Sequence, residues 1–252
     1  MTVRFWLWLT LTGMALGAAA ILFVAKRRTA DEEIDGILHG IVPILAATSY
    51  FGMACGQAVV RLPLNAADPA SQWEFYYARY VDWAFTTPIL LVALATTAMH
   101  SGMRRRGLVF GLVAADVLMI LTALFFGASP EPWIKWTWFL ISCGAFAAVY
   151  YVIWGPLLAE NRKEREDVQA TYRRNATILS AVWFVYPIIL LFGTDGLRTI
   201  DPVVTTAGIA ILDLVAKVVF GLMAVTARSR IVDRDLREDG KAPDTSVPRL
   251  VA

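Results

Sequence analysis

Cysteine, histidine and charge are all scarce in this sequence. With two cysteines and two histidines, the chain cannot supply a framework of several disulfides or a cluster of soft metal ligands, and we predict no metal site. Cys55 and Cys143 fall inside apolar segments and are predicted to be buried small hydrophobic residues. Only 17% of the residues are charged, while 58% are hydrophobic. This balance is typical of an integral membrane protein and excludes an ordinary soluble domain.

Long apolar runs fill most of the 252 residues. A helix needs about 20 apolar residues to cross a bilayer. The sequence has seven such windows, at residues 4–25, 34–60, 74–98, 108–128, 133–157, 175–193 and 203–227. We therefore predict an all-α bundle of seven transmembrane helices over residues 1–228, followed by a flexible cytoplasmic tail over 229–252. Two prolines and several turn-forming residues between the second and third windows predict either a short hairpin or an irregular cap.

The positions of lysine and arginine predict the orientation in the membrane. Most of the 23 basic residues lie in the first, third and fifth loops and in the tail. By the positive-inside rule these are cytoplasmic, so the N-terminus is expected outside and the C-terminus inside. The first window is interpreted as a helix and not as a signal peptide, because its basic residues follow the apolar run. Because the positive-inside rule already explains where the basic residues lie, they do not indicate binding to nucleic acid. We expect the lipid bilayer of the cell membrane as partner, and no nucleic acid.

Two ionisable residues interrupt the last apolar window. Asp213 and Lys217 lie i, i+4 on one helix face, where the carboxylate can neutralise a cation on the lysine nitrogen. An ionisable side chain near the middle of a span costs at least ~2.5 kcal/mol on insertion scales, so it is usually retained for a function. A desolvated lysine amine is the usual nucleophile for a Schiff base with an aldehyde. The alternative is a buried ion pair that only stabilises packing.

The third window carries a second polar series. Arg79, Asp82 and Thr86 share one helix face, so a cation, a carboxylate and a hydroxyl follow one another and can hold and pass a proton. Asp82 and Asp213 are expected at similar depth in the bundle. With Arg79 and Lys217 they would form a cluster of four charges that is neutral overall, as a low-dielectric interior requires.

Four motifs carry a family resemblance: ARYVDW and TTP in the third window, WFVYP in the sixth and DLVAK in the seventh. The chain resembles a microbial (type I) rhodopsin of the proton-pumping branch that includes bacteriorhodopsin and proteorhodopsin. The resemblance implies all-trans retinal bound to Lys217 as a protonated Schiff base and isomerised by light. Asp82 and Asp213 would be its counterions, with Asp82 the proton acceptor, Thr86 bonded to Asp82, and Arg79 just outside them. The residues implied to line the retinal are Tyr50, Trp83, Thr87, Leu90, Met119, Trp138, Ser142, Trp183, Tyr186 and Pro187.

The sequence departs from the best-known members of this family at several positions, and two of them concern proton transfer. Ala93 stands where those pumps carry a carboxylic proton donor, about three helical turns inward of Asp82. Asp195 matches one member of a two-acid proton-release site, whereas Thr205 occupies the second position. The resemblance therefore implies an outer release residue but leaves the inner proton donor unassigned.

His39 is a candidate for that missing donor. It lies about five residues from the cytoplasmic end of the second window, and Ala93 lies at a matching distance in the third, so the two are expected at the same level. Histidine titrates near neutrality and could relay a proton. The alternative is a hydrogen-bonded packing residue.

These observations support three functional hypotheses, none of them an enzyme. The first is a light-driven outward proton pump, expected to assemble as a homo-oligomer and to carry protons. The second is a slow-cycling photosensory rhodopsin that signals to a transducer, which the missing carboxylate at Ala93 favours. A receptor or transporter without photochemistry is the third, and it leaves Lys217 unexplained.

Overall fold

A computed structural model describes residues 1–65, 68–102, 105–238 and 240. It contains seven helices that are long and apolar enough to cross a membrane, in the predicted order. We number them α1 to α7: Val3–Val24, Ala30–Ala54, Ala78–Ala98, Arg106–Ala128, Pro132–Asn161, Glu166–Phe192 and Pro202–Glu238. We call the end of the bundle where α1 begins the outer end, and the end where α7 ends the inner end, after the predicted orientation.

The helices pack as a closed bundle. Each of α1 to α4 packs against the next helix in the chain, and α7 closes the ring against α1, α2 and α6. Between α2 and α3 the chain forms one of the two predicted alternatives, a hairpin at the outer end. Its strands are β1 (Val60–Asn65) and β2 (Asp68–Phe75), which pair antiparallel with Val60 opposite Phe75.

Two helices contain a wider π-helical turn, Ile153–Leu157 in α5 and Leu214–Val219 in α7. Such turns are rare and are often found at functional sites. The one in α7 contains Lys217 and lies against glycines of α1. A Cβ on Gly17 would come within 2.4 Å of Val218, and one on Gly13 within 2.8 Å of Leu214. Small residues on α1 therefore let α7 approach closely where its backbone is widened.

The helix ends differ from the ends of the predicted windows. Hydropathy indicates the part of a helix that lies in the bilayer, whereas the helix itself can extend beyond that part. The second helix begins at Ala30, where the Thr29 side chain accepts from the Glu32 amide at 3.3 Å. The sixth begins at Glu166 and so includes much of the charged segment before residue 175. The seventh continues to Glu238, past the boundary predicted at residue 228, because Ile231 and Val232 are buried. The predicted tail from residue 241 onward lies outside the described residues.

The prediction for the cysteines was wrong for one of them. Cys55 caps the outer end of α2 and is exposed, because this helix ends at Ala54 and not at residue 60. Cys143 is partly buried in α5.

Candidate functional site

Lys217 lies between two carboxylates in the middle of the bundle. Its Nζ is 3.1 Å from Asp213 Oδ1 and also forms a short ion pair with Asp82 Oδ2. The three residues are between 1% and 3% exposed. Lys217 and Asp213 come from α7, whereas Asp82 comes from α3. The prediction that Asp82 and Asp213 lie at similar depth is therefore confirmed. A buried cation between two anions is electrostatically compensated, but the three together carry a net negative charge.

The two carboxylates have different surroundings. Besides Lys217, Asp213 accepts hydrogen bonds from Tyr50 Oη at 2.7 Å, Tyr186 Oη at 2.8 Å and Trp83 Nε1 at 3.2 Å. These donors come from three other helices, so Asp213 ties α2, α3 and α6 to α7.

Asp82 has fewer partners. Its Oδ1 accepts no hydrogen bond from any of the described residues. Thr86 Oγ1 donates a hydrogen bond of 2.8 Å to the backbone carbonyl oxygen of Asp82. The sequence predicted a bond between these two residues but not which atoms form it. The hydroxyl side chain of a helical threonine commonly bonds back to the carbonyl four residues earlier. Asp82 therefore has a carboxylate oxygen available for a proton.

Arg79 lies one turn toward the outer end from Asp82 and is 2% exposed. Its Nη2 donates to Thr206 Oγ1 at 3.0 Å, and its guanidinium stacks 5.1 Å from the centre of the Tyr76 ring. Burial, together with Glu74, raises the pKa of Tyr76 to about 12, so that ring stays neutral beside the cation. Within the described part of the chain, Arg79 makes its hydrogen bond to a hydroxyl and not to a carboxylate. It supplies the fourth charge of the predicted cluster at longer range.

An apolar cavity reaches Lys217 from the side of α4, α5 and α6. Counting the space at its opening, it contains about 760 Å³ of unfilled volume. All the residues predicted to line a ligand form its wall except Tyr50 and Trp138. Those on the wall are Trp83, Thr87, Leu90, Met119, Ser142, Trp183, Tyr186, Pro187 and Lys217.

The two exceptions have other contacts. Tyr50 lies beside the charged cluster, where its hydroxyl is bonded to Asp213. Trp138 packs its ring against Phe125, with ring centres 5.1 Å apart. Because α5 turns this tryptophan toward α4, the neighbouring Phe139 lines the cavity in its place.

A third buried carboxylate lies beside the cavity and was not assigned a role from the sequence. Asp116 of α4 is 0% exposed, and its Oδ2 accepts from Thr87 Oγ1 at 2.6 Å. This hydrogen bond joins α3 to α4. The signal available in the sequence was a lone aspartate in an apolar helix, which indicates an interior position.

At the outer end Asp195 is 3% exposed and accepts from Tyr80 Oη at 2.6 Å. Thr205, at the second position of the implied release site, is also buried, and its hydroxyl has no partner among the described residues. Asp195 is therefore held inside the protein by a tyrosine of α3, which the sequence motifs did not indicate.

His39 and Ala93 line one small cavity toward the inner end, so their expected equal depth is what the structure contains. The same cavity is lined by Asp35 and Arg228, which were not singled out from the sequence. Asp35 lies four residues before His39 on α2, and a charge at that spacing is the signal that could have identified it.

Comparison with known proteins places these features in a family. A family model described as bacteriorhodopsin-like protein matches residues 1–231. The bacteriorhodopsin of Haloterrigena sp. (strain arg-4) is 35% identical over 228 residues, covering 89% of this chain and 87% of that protein. Archaerhodopsin-2 of Halobacterium sp. (strain aus-2) is 30% identical over 243 residues, covering 95% and 91%.

Solved structures show the same architecture. The thermophilic rhodopsin from Rubrobacter xylanophilus has a TM-score of 0.84 at 32% identity, covering 92% of this chain and 98% of that one. The light-driven proton pump Coccomyxa subellipsoidea rhodopsin CsR has a TM-score of 0.81 at 29% identity, covering 89% and 96%.

Proposed function

Because the chain belongs to the bacteriorhodopsin-like protein family, we propose that it is a light-driven outward proton pump with all-trans retinal bound to Lys217. It is a multi-pass protein of the plasma membrane, and light-driven proton pumping is supported at the level of the family. The observation that carries the proposal is Lys217 Nζ between Asp82 and Asp213, at the wall of an apolar cavity.

The cavity fits a long apolar ligand held at one end by an imine. Its wall is formed by aromatic and aliphatic side chains such as Trp83, Trp183, Leu90 and Met119, and the amine of Lys217 reaches it. When bound there, retinal would supply light absorption and an isomerisation that moves the nitrogen of Lys217. The protein's own residues would then hold and transfer the proton.

Asp82 is the better proton acceptor of the two carboxylates. Three neutral donors besides Lys217 stabilise the charge on Asp213, whereas Asp82 Oδ1 has no donor among the described residues. A proton leaving Lys217 Nζ would therefore be bound by Asp82. The charge of Arg79 and the buried Asp195 continue this series toward the outer end, which supports outward release.

Light-induced acidification around expressing cells tests the proposal. The pump should acidify the medium in the light, and a protonophore should abolish the change because it collapses the proton gradient. Expressing cells that show no light-dependent pH change, although their pigment absorbs visible light, would contradict the assignment.

One observation favours a second function, a slow-cycling photosensor that signals to a transducer. Ala93 supplies no carboxylic donor at the inner cavity, and slow reprotonation would suit a sensor. A photocycle lasting seconds without acidification would favour this alternative. A homo-oligomeric assembly is expected under either function and is testable by cross-linking in membranes.

A further inference from the structure

A second cavity, with about 270 Å³ of unfilled space, lies at the inner end of the bundle. Three ionisable side chains line it although each is nearly inaccessible: Asp35 is 4%, His39 2% and Arg228 5% exposed. Ala93 lines the same cavity. Burying ionisable groups costs several kcal/mol for each charge unless partners compensate it. Apolar side chains would fill this space at lower cost, so packing alone does not account for the three.

His39 is oriented by Asp35. Its Nδ1 donates to the backbone carbonyl oxygen of Asp35 at 2.9 Å and lies 3.6 Å from Oδ2 of the same residue. Because Nδ1 carries the hydrogen in that bond, Nε2 is the atom that gains and loses a proton.

The other charged and titratable groups around the pair come from α7 and from the segment that follows α3. Arg228 Nη2 lies 3.8 Å from Asp35 Oδ1 and donates to Thr97 Oγ1 at 3.1 Å. Its Nη1 donates to His100 Nδ1 at 3.1 Å, and His100 in turn bonds to Asp235 at 3.0 Å. Arg228 compensates Asp35 when His39 is neutral. The pair of Asp35 and His39 can therefore bind one additional proton. When that proton leaves, Arg228 still compensates the charge of Asp35.

The pair lies inward of Lys217. A Cβ on Gly221 would be 3.7 Å from His39 Cβ, and Gly221 follows Lys217 by one helical turn, roughly 6 Å. The nitrogen of Lys217 lies further outward, because it contacts Asp82, and Ala93 beside His39 is eleven residues inward of Asp82, roughly 16 Å along the helix. The ring of His39 packs against Phe220, with ring centres 5.9 Å apart. A proton that passes from the imidazole to the lysine nitrogen must therefore cross a layer of apolar side chains.

We infer that Asp35 and His39 form one proton-binding pair that returns a proton to Lys217 Nζ from the inner side, in place of the carboxylate that α3 lacks at Ala93. The proton leaves His39 Nε2 and is bound at Lys217 Nζ, whose own proton has gone to Asp82. His39 then takes a proton from the inner aqueous side. No electron or other atom moves. The inference rests on the proposed function and assigns the proton supply of the same site.

Flash photolysis of the pigment tests the kinetic part. His39→Asn should slow reprotonation of Lys217 Nζ at least ~tenfold, a barrier increase of about 1.4 kcal/mol. His39→Gln is a second variant that can keep a hydrogen bond but cannot relay a proton. Asp35→Asn should slow the step, and adding it to His39→Asn should have little further effect, because residues acting as a unit are not additive.

A matched control separates this role from general damage. Glu33→Gln removes an exposed carboxylate from the same helix. It should reprotonate at close to the wild-type rate. An unchanged visible band in each variant reports an intact pigment, because His39 does not line the large cavity.

An independent readout is the imidazole itself in the dark. Since the chain has two histidines, comparison with the His39→Asn protein assigns the ¹⁵N-histidine NMR signal of His39. We expect this signal to change as the pH is varied, and the change to differ in Asp35→Asn, because Asp35 Oδ2 lies 3.6 Å from His39 Nδ1. An imidazole signal that does not titrate would overturn the inference.

The two proposals fail in different ways. Absent acidification by the wild type would contradict the pump while the imidazole titration could still be observed. Normal acidification, with wild-type reprotonation rates in both His39 variants, would overturn only the role of the pair. Protons would then reach Lys217 without the imidazole.

Discussion

The two halves of the bundle on either side of Lys217 are built differently. Toward the outer end, polar groups lie in series: Asp82 and Asp213 beside Lys217, then Arg79 bonded to Thr206, and Asp195 bonded to Tyr80. Toward the inner end, an apolar layer comes first. It consists of Val42, Leu90, Leu94 and Phe220, all nearly inaccessible and packed in one cluster. Beyond this layer, the small cavity contains Asp35, His39 and Arg228.

This difference supplies a direction for proton movement. A proton leaving Lys217 Nζ finds the carboxylate of Asp82 in contact on the outer side. On the inner side it would have to cross the apolar layer, where an unpaired charge is costly. The outer half therefore favours departure, and the inner half delays return until the layer opens or a relay crosses it. Mutations in the two halves should consequently affect different observables.

The largest effect is expected from the residue that both halves share. Lys217→Ala should remove the visible absorption band of the retinal-reconstituted protein completely, because no other lysine among the described residues lines the large cavity. Absorption spectra of purified wild type and variant check this. Val218→Ala, in the same π-helical turn, is the control and should keep the band. A visible band that persists without Lys217 would rule out its assignment as the attachment site.

Asp82→Asn should have the next largest effect and is specific to the outer half. It removes a negative charge in contact with Lys217 Nζ, so the protonated nitrogen loses stabilisation and the band should shift to the red. Proton transport should fall by more than ~100-fold, about 2.7 kcal/mol of barrier, because the acceptor is lost.

Spectra and light-induced acidification measure both effects, with Glu74→Gln in the exposed hairpin as the control. An unshifted band with transport intact would remove Asp82 from its acceptor role. It would also mean that proton transport through the outer half does not depend on the carboxylate of Asp82, which has few hydrogen-bond partners.

Much of the outer half was predictable because its signals are local in sequence. Asp213 and Lys217 lie one turn apart on one helix, and so do Asp82 and Thr86. The partners that complete the network were not predictable in this way. Thr206 bonds to Arg79 and Asp195 to Tyr80 across more than one hundred residues of sequence. Hydropathy and motif spacing carry no information on such pairs.

The inner half was predictable only in part for the same reason. Equal depth placed His39 and Ala93 at one level, since a helix rises by a fixed distance per residue. Asp35 escaped notice because it follows the acidic residues at the start of α2. Its partner Arg228 lies in a segment assigned to the end of the bundle, whereas α7 continues past it to Glu238. The seven apolar spans themselves were predicted correctly, because apolar length alone determines them.

Ala93→Asp should reduce the difference between the halves. It places a carboxylic acid in the cavity that His39 lines, at the position where the family resemblance implies a donor. In the His39→Asn background it should restore reprotonation by up to ~tenfold. The asparagine of Ala93→Asn has nearly the same size as the aspartate but cannot supply a proton at neutral pH. This variant should therefore not restore the rate of reprotonation. Flash photolysis compares the two, and equal rates would show that the inner half does not limit proton return through this cavity.

The smallest functional effect is expected at the far end of the outer half. Tyr80→Phe removes the hydroxyl that donates to Asp195 at 2.6 Å but keeps the ring that packs on Phe75 and Trp83. Asp195 then remains buried with one strong donor fewer, which should cost about 1–3 kcal/mol of stability. Proton release should change by no more than about twofold, since Tyr80 contacts neither Lys217 nor its carboxylates, and twofold corresponds to less than 1 kcal/mol of barrier.

Thermal bleaching of the visible band and the release of protons to a pH-sensitive dye measure these two effects. Tyr77→Phe is the matched control, because its hydroxyl donates to the backbone of Gln57 at 3.4 Å in an exposed position. If Tyr80→Phe were as stable as Tyr77→Phe, the bond to Asp195 would contribute little and the outer network would end at Arg79. If Tyr80→Phe instead slowed release tenfold while Asp82→Asn behaved as expected, proton exit would be limited at Asp195. The outer half would then contain a slow step of its own, and the direction of transport could not be attributed to the apolar inner layer alone.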